Sequence, residues 1–298
     1  MSSTRRAYAA WCVVCAVWGT TYLAIRIALE SIPPILMAAM RWIAAGSILI
    51  VILKVRGQRL PGPRAWPALA VLGVLLLGFG NGAVVWAEQT VASGLTAVLV
   101  ATVPFWMVGV EAVANRGRPH APAHPRRLLG LLVGFAGIVM LVWPEIRLED
   151  GDRRGFLVGV VSTQIAGIGW AIGSTYARRR GRTEAHDENV LATAAFEMLF
   201  GGIALLLLGL ALGEWTRLAF TPRTSLALAH LIVFGAVAGF TAYAYALKYL
   251  SVATASLYAY VNPVIAVCLG ALVLGETFSA RMAIAASVVL AGVALVRD

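Results

Sequence analysis

Charged residues are scarce in this chain of 298 residues, and their scarcity excludes an ordinary water-soluble domain. Only 13% of the residues are charged, whereas 60% are hydrophobic. A typical soluble domain carries about 25% charged and about 45–50% apolar residues. Because one crossing of the hydrocarbon core needs about 20 apolar residues, the chain predicts an all-α integral membrane protein with roughly ten transmembrane helices.

Cysteine and histidine are also rare, with three and four copies respectively. Cys12 and Cys15 form a C-x-x-C pair, but the pair lies inside an apolar helix and has no second ligand pair nearby. Small apolar helix residues are therefore a better interpretation than a metal or redox site. The histidines lie in or beside loops, and no Ser/His/Asp set is present. We expect no disulfide framework, no metal, no cofactor and no enzymatic activity.

The net charge of +10 comes from basic residues in short loops between apolar runs. This pattern is typical of topology signals rather than of a nucleic-acid-binding face, so we expect no nucleic-acid partner. The larger share of Lys and Arg falls on the side that holds Arg5, Arg6 and the cluster Arg178–Arg180. The bias predicts that both termini are cytoplasmic, and the apolar run from Ala7 to Leu29 predicts a retained first helix rather than a cleaved signal.

Apolar runs separated by turn and charge signals predict the positions of ten helices. Their predicted ranges are 7–27, 33–53, 66–88, 93–114, 127–143, 155–177, 190–211, 225–247, 252–274 and 280–296.

The two halves of the chain resemble each other. The segment AEQTVASGLTAVLVATVP, from Ala87 to Pro104, aligns without a gap with ALKYLSVATASLYAYVNP, from Ala246 to Pro263. Both segments end one helix, pass through a small-residue turn and begin another helix that carries a proline. We predict two five-helix repeats, 1–148 and 149–298. Because each repeat has an odd number of spans, the second must enter the membrane from the opposite side.

An inverted repeat favours a transporter over a membrane enzyme or sensor. Two copies in opposite orientation can exchange conformations, so that one central site opens to either side of the membrane. A non-transporting membrane enzyme or sensor remains the alternative from a different class.

Short motifs near the start of the chain resemble a known family. Trp18-Gly19 opens a W-G-T-T-Y-L-A-I-R stretch, an I-P-P turn follows, and Arg41 begins an R-W pair in the second helix; the second half adds Asn262-Pro263 and an L-G-E turn. In this order they are similar to the EamA-type branch of the drug/metabolite transporter superfamily, including bacterial exporters of aromatic amino acids and other metabolites. The resemblance implies ten helices, cytoplasmic termini, a bacterial inner membrane and a cavity formed by helices 1, 3, 4, 6, 8 and 9. It also implies export of amino acids or related small amphipathic metabolites, with multidrug or toxic-compound export as the alternative.

Ionisable residues inside the predicted helices are few, and such residues usually face a cavity or a partner. Arg41 and Glu197 occupy matching positions in the second and seventh helices. We predict that they and Glu88 form a gate or charge network. The competing interpretation is that each side chain reaches water from a helix end.

The predicted substrate cavity is neutral and aromatic, which suits amphipathic solutes because ring stacking supplies contact area while amides and hydroxyls orient the ligand. Its predicted members are Trp18, Thr21, Asn81, Trp86, Gln89, Thr102, Trp106, Gln164, Trp170, Ser174, Tyr243, Tyr258 and Asn262. We assign Trp42, Trp66, Trp143 and Trp215 instead to interfacial belts, a common position for tryptophan in membrane proteins.

Two further patterns leave alternatives open. Pro104 and Pro263 occupy matching positions and are predicted as hinges, although they could equally be static kinks. Small residues repeat at helical spacing in the fifth helix (Gly130, Gly134, Gly137) and in the tenth (Ala283, Ser287, Ala291), which predicts close helix packing within the chain or in a homodimer. The expected partners are therefore a small-molecule substrate and the lipid bilayer, for a monomer or a homodimer.

Overall fold

The computed structural model describes residues 3–114, 125–147, 153–181, 189–250 and 258–296. These residues form ten long helical elements, numbered here in chain order. They are α1 (Ser3–Ala28), α2 (Pro34–Val55), α3 (Trp66–Gly73, Val74–Asn81 and Gly82–Ala87), α4 (Ser93–Val100 and Val103–Ala114), α5 (Pro125–Arg147), α6 (Arg153–Gly181), α7 (Val190–Ala211), α8 (Pro222–His230, Leu231–Ala238 and Gly239–Tyr249), α9 (Tyr258–Leu274) and α10 (Ala280–Val296).

The described helices have the length and surface of membrane spans. Seven are long and apolar enough to cross a bilayer, and three further apolar helices are shorter, at Leu128–Val142, Val261–Leu274 and Ala280–Leu295. Large apolar side chains such as Phe135, Leu207 and Leu272 are more than half exposed on the outside. A soluble monomer rarely presents so much apolar surface, so this exterior suits lipid. The predicted all-α membrane fold is confirmed.

The packing between helices follows a pseudo-two-fold pattern. Helix α1 packs against α8 and α9, and its counterpart α6 packs against α3 and α4. Helix α2 packs against its own counterpart α7, and α5 packs against its counterpart α10. Exchanging the two halves of the chain therefore reproduces the same set of neighbours. This is the two-repeat architecture that the internal alignment predicts.

Glycines permit the closest of these contacts. A methyl group at Gly46 would lie 2.7 Å from the carbonyl oxygen of Ala195, across the contact between α2 and α7. A methyl group at Gly137 would lie 2.7 Å from the backbone nitrogen of Val289, across the contact between α5 and α10. The small-residue face of α5 is thus used for packing within the chain. A dimer would need a different surface.

Three helices differ from the continuous α-helices that the apolar runs predict. The middle segments of α3 and α8, Val74–Asn81 and Leu231–Ala238, are π-helical. In addition, α4 is interrupted at Ala101 and Thr102, immediately before Pro104. Proline has no N–H to continue the hydrogen-bond ladder, so the chain can begin a new helix there without losing a further bond.

Two acidic residues from the second half cap helices of the first half. Glu276, beyond the end of α9, accepts hydrogen bonds from the backbone N–H groups of Ser93 (2.9 Å) and Gly94 (3.3 Å) at the start of α4. Glu214, beyond α7, accepts from the backbone N–H of Leu36 at 2.9 Å near the start of α2. A carboxylate at a helix N-terminus satisfies free N–H groups and complements the helix dipole.

Candidate functional site: a cavity between the two halves

A cavity of about 540 Å³ lies between the two halves of the chain. Such a volume is typical of a small-molecule site. Its walls come from α1 to α4 of the first half and from α6, α8, α9 and α10 of the second. Most of the predicted cavity residues line it, and they share an aromatic or neutral polar side chain. They are Trp18, Thr21, Asn81, Trp170, Ser174, Tyr243, Tyr258 and Asn262.

Trp18 is the centre of the aromatic wall. Its ring centroid lies 4.8 Å from that of Tyr258, 5.3 Å from that of Tyr243 and 5.4 Å from that of Phe240. Its indole N–H donates to the carbonyl of Gly235 at 3.0 Å, within the π-helical segment of α8. Trp18 therefore joins α1 to both α8 and α9, with a fixed ring orientation at the cavity surface.

Trp42 is the clearest correction to the sequence interpretation. The belt assignment for Trp42 is wrong, because its side chain is only 1% exposed and lines the cavity. Its indole N–H donates to the side-chain oxygen of Asn81 at 3.2 Å. Its ring also lies 4.3 Å from the guanidinium carbon of Arg41. The tryptophan lies in the third turn of α2, where it faces the protein interior.

Three predicted members form a separate polar cluster beside the cavity. The side-chain oxygen of Gln164 accepts hydrogen bonds from Trp106 (3.0 Å) and Thr102 (3.4 Å), and thereby links α4 to α6. None of the three lines the cavity, although Val103 and Gly167 beside them do. Their direct partners make them supports of the wall at the break in α4.

The structure places Trp86 and Gln89 away from the cavity. Trp86 is 39% exposed at the end of α3. Gln89 is also exposed, and its amide donates to the backbone carbonyl of Trp86 at 3.1 Å. Both side chains belong to the outer surface of the bundle.

The two prolines both line the cavity but have different local structures. Pro104 is in the first turn of the second segment of α4, where a missing N–H is tolerated. Pro263 is inside α9, where the hydrogen-bond ladder of the helix loses a bond.

Asn262, which precedes Pro263, joins two helices through its side-chain amide. When its amide nitrogen faces the backbone carbonyls of Tyr258 and Cys15, it donates to them at 3.1 Å and 3.2 Å. The neighbouring Asn262 therefore ties the start of α9 to α1.

The predicted charge network has two buried members close to the cavity. Arg41 lines it and is 3% exposed, while Glu88 is fully buried at the end of α3. Among the residues that the structure describes, neither carboxylate oxygen of Glu88 has a hydrogen-bond partner. The charges of Arg26, Glu276 and Arg41 act on Glu88, and Arg26 also donates to its backbone carbonyl. Glu197 is half-buried on α7, and its link to Arg41 stays a prediction.

The sequence interpretation missed Tyr22, Trp42 and Phe240 as cavity residues. Helical spacing offered a signal for two of them. Tyr22 is one turn beyond Trp18, and Phe240 is one turn before Tyr243, so each shares a helix face with a predicted member. No comparable signal points to Trp42.

A bundle of this kind, with a central cavity between two exchangeable halves, defines a multi-pass membrane transporter. The EamA-like transporter family matches residues 5–143 and 157–297. The chain belongs to this family, whose members are transporters rather than enzymes.

Individual relatives agree with this assignment. The chain is 38% identical over 285 residues to the uncharacterized inner membrane transporter YedA of Escherichia coli (strain K12). The aligned region covers 94% of this chain and 87% of YedA. It is 26% identical over 270 residues to the protein PagO of Salmonella typhimurium, covering 90% of this chain and 84% of PagO. A solved structure titled "Crystal structure of protein" has the same fold, with a TM-score of 0.65, 22% identity and coverage of 99% of this chain and 97% of the other.

Proposed function

We propose that the protein exports amino acids or related small amphipathic metabolites across a bacterial inner membrane by alternating access. The observation that carries the proposal is the cavity between the halves, whose surface combines aromatic rings with neutral hydroxyl and amide groups. Rings offer contact area to an apolar side chain, and the polar groups can orient a ligand. The basic loops support cytoplasmic termini.

The pseudo-two-fold packing supports alternating access through repeats 1–148 and 149–298. Helices α1 and α6 have equivalent neighbours in opposite halves. If the two halves exchange their local arrangements, the same cavity opens to the other side. Pro263 is the better candidate hinge, because it interrupts the bonding of a continuous helix, whereas Pro104 follows a break. This assignment would fail if Pro263→Ala left the transport rate unchanged.

Reconstitution into liposomes tests the proposed function. We expect the purified protein to move labelled aromatic and large apolar amino acids faster than protein-free liposomes do, because such solutes can stack on Trp18 and Tyr258. A parallel series of cationic and neutral drugs, with and without a pH gradient, compares multidrug export in the same assay. Movement of drugs but not amino acids would replace the proposal with the multidrug alternative, and movement of neither would refute it.

A further inference from the structure

Within the described part of the chain, one cavity-lining side chain carries a formal charge. It is Arg41, and the other polar groups of the lining are neutral hydroxyls and amides such as Thr21, Asn81 and Asn262. A single cation in an otherwise neutral cavity gives the site a definite electrostatic preference. It favours an anion over a cation of similar size.

The guanidinium of Arg41 has unused hydrogen-bond donors. Its Nε and Nη1 atoms are buried and have no hydrogen-bond partner among the described residues. An isolated cation is costly inside a membrane protein, and such residues usually pair with another group or mark a substrate pathway. Arg41 is in the second turn of α2 and is 3% exposed, so it does not reach the helix end.

The surroundings of Arg41 hold it at the cavity without occupying those donors. The ring of Trp42 stacks 4.3 Å from the guanidinium carbon. Glu88 and Tyr22 are the titratable groups that interact electrostatically with Arg41, and Arg41 in turn acts on His230; the phenol of Tyr22 is neutral. Stacking on an aromatic face stabilises a guanidinium while leaving its edge free for a planar anion.

We propose that Arg41 anchors the carboxylate of the transported solute. The proposal rests on the proposed function and narrows its substrate class to monocarboxylates with an aromatic or large apolar body. The carboxylate accepts hydrogen bonds from the guanidinium edge, and the body packs against Trp18, Tyr243 and Tyr258. The two requirements come from different helices around one cavity, since Arg41 belongs to α2 and the tyrosines to α8 and α9.

Matched pairs of labelled solutes test this anchor in proteoliposomes. Indole-3-acetate and indole-3-acetamide share a ring but differ in the carboxylate, as do phenylalanine and phenylalaninamide. We expect the wild-type protein to prefer each carboxylate roughly ten- to hundredfold, because a hydrogen bond to a charged group contributes about that much to affinity. The preference should fall close to one in Arg41→Met and be partly retained in Arg41→Lys. Arg223→Met is the control, since Arg223 lies in an exposed pair with Glu30 (3.2 Å) and its loss should leave the preference unchanged.

Equal transport of acid and amide by the wild type would overturn the anchor, as would a preference that survives Arg41→Met. If Arg41→Met does not fold, Arg41→Gln replaces it with a polar side chain of smaller volume. If the wild type moves none of these solutes, the proposed function fails, and a binding assay on the purified protein tests the anchor separately. Stabilisation of the wild-type protein against heat by the acid but not by the amide, and its absence in Arg41→Met, would support the anchor. Equal stabilisation by acid and amide, or no stabilisation by either, would refute the anchor.

Discussion

Replacing Trp18 with alanine should lower the transport rate of an aromatic amino acid about tenfold or more. Trp18 contacts three other aromatic rings at the cavity surface and donates a hydrogen bond to Gly235. Alanine removes the indole surface on which an aromatic solute can stack, a contact of about 0.5–1.5 kcal/mol, and it also removes the contacts that orient Tyr243 and Tyr258 towards the solute. Because about 1.4 kcal/mol of lost transition-state stabilisation corresponds to a factor of ten in rate, the two losses together predict this effect. Initial rates in proteoliposomes, normalised to folded protein, measure the effect.

Trp86 provides the matched control. It is the same residue type in the same membrane protein, but it is 39% exposed at the end of α3 and does not line the cavity. Trp86→Ala should stay within about twofold of the wild-type rate, because an exposed substitution of this kind usually has a small effect. Similar rates for the two alanine variants would contradict the site geometry. Trp18→Phe, which keeps a ring but lacks the indole N–H, should fall between the wild type and Trp18→Ala.

Replacing Glu88 with lysine should prevent the protein from reaching a folded state. Glu88 is fully buried, and the charges of Arg26, Glu276 and Arg41 act on it. A lysine at position 88 would add a buried cation to those of Arg26 and Arg41, and it would remove the carboxyl group of Glu88. Leaving buried charge uncompensated typically costs about 3–5 kcal/mol, which is a large part of the stability of a protein of ordinary size. The yield of monodisperse detergent-solubilised protein measures the outcome.

Glu30→Lys is the matched control, because it makes the same change from glutamate to lysine at an exposed position. Glu30 pairs with Arg223 at 3.2 Å, and the two side chains are 45% and 56% exposed. An exposed pair contributes little, so Glu30→Lys should express and fold nearly as the wild type does. Glu88→Gln keeps the shape and brings no new cation to the buried position, so it should give a higher yield than Glu88→Lys. Normal yields of Glu88→Lys would contradict the burial of this side chain.

The helices and their repeat were predictable from residue patterns because both depend on local composition. Each apolar run between charged loops became a described helix, apart from the start of the ninth predicted helix, which lies outside the described residues. The alignment of Ala87–Pro104 with Ala246–Pro263 indicated the exchange symmetry that the packing of α1 and α6 displays. The helices are predicted from the length of each apolar run and the repeat from the similarity of the two halves, and neither prediction depends on which face of a helix points inward.

The rotation of each helix was harder to predict, and the errors at Trp42 and Trp86 arise from it. Both tryptophans lie in helices rich in alanine and larger aliphatic residues, where almost every face is apolar and the period that distinguishes inside from outside is weak. The π-helical turns of α3 and α8 add to the difficulty. A wider turn shifts the register of the residues on either side of it. Between Asn81 and Trp86 the helix is α-helical, and five residues turn it by about 140°, so Asn81 faces Trp42 while Trp86 faces outward.

Accessibility of a cysteine at Ser174 tests most directly the central claim that one cavity opens to both sides of the membrane. Ser174 lines the cavity, and cysteine is nearly the same size. The three native cysteines, Cys12, Cys15 and Cys268, are first replaced by alanine. Ile172→Cys, exposed on the outer face of the same helix α6, serves as the control. We expect a membrane-impermeant thiol reagent to label Ser174→Cys in both inside-out and right-side-out vesicles, with protection by transported solute, and not to label Ile172→Cys. Labelling of Ser174→Cys from one face only, under every substrate condition, would contradict the account.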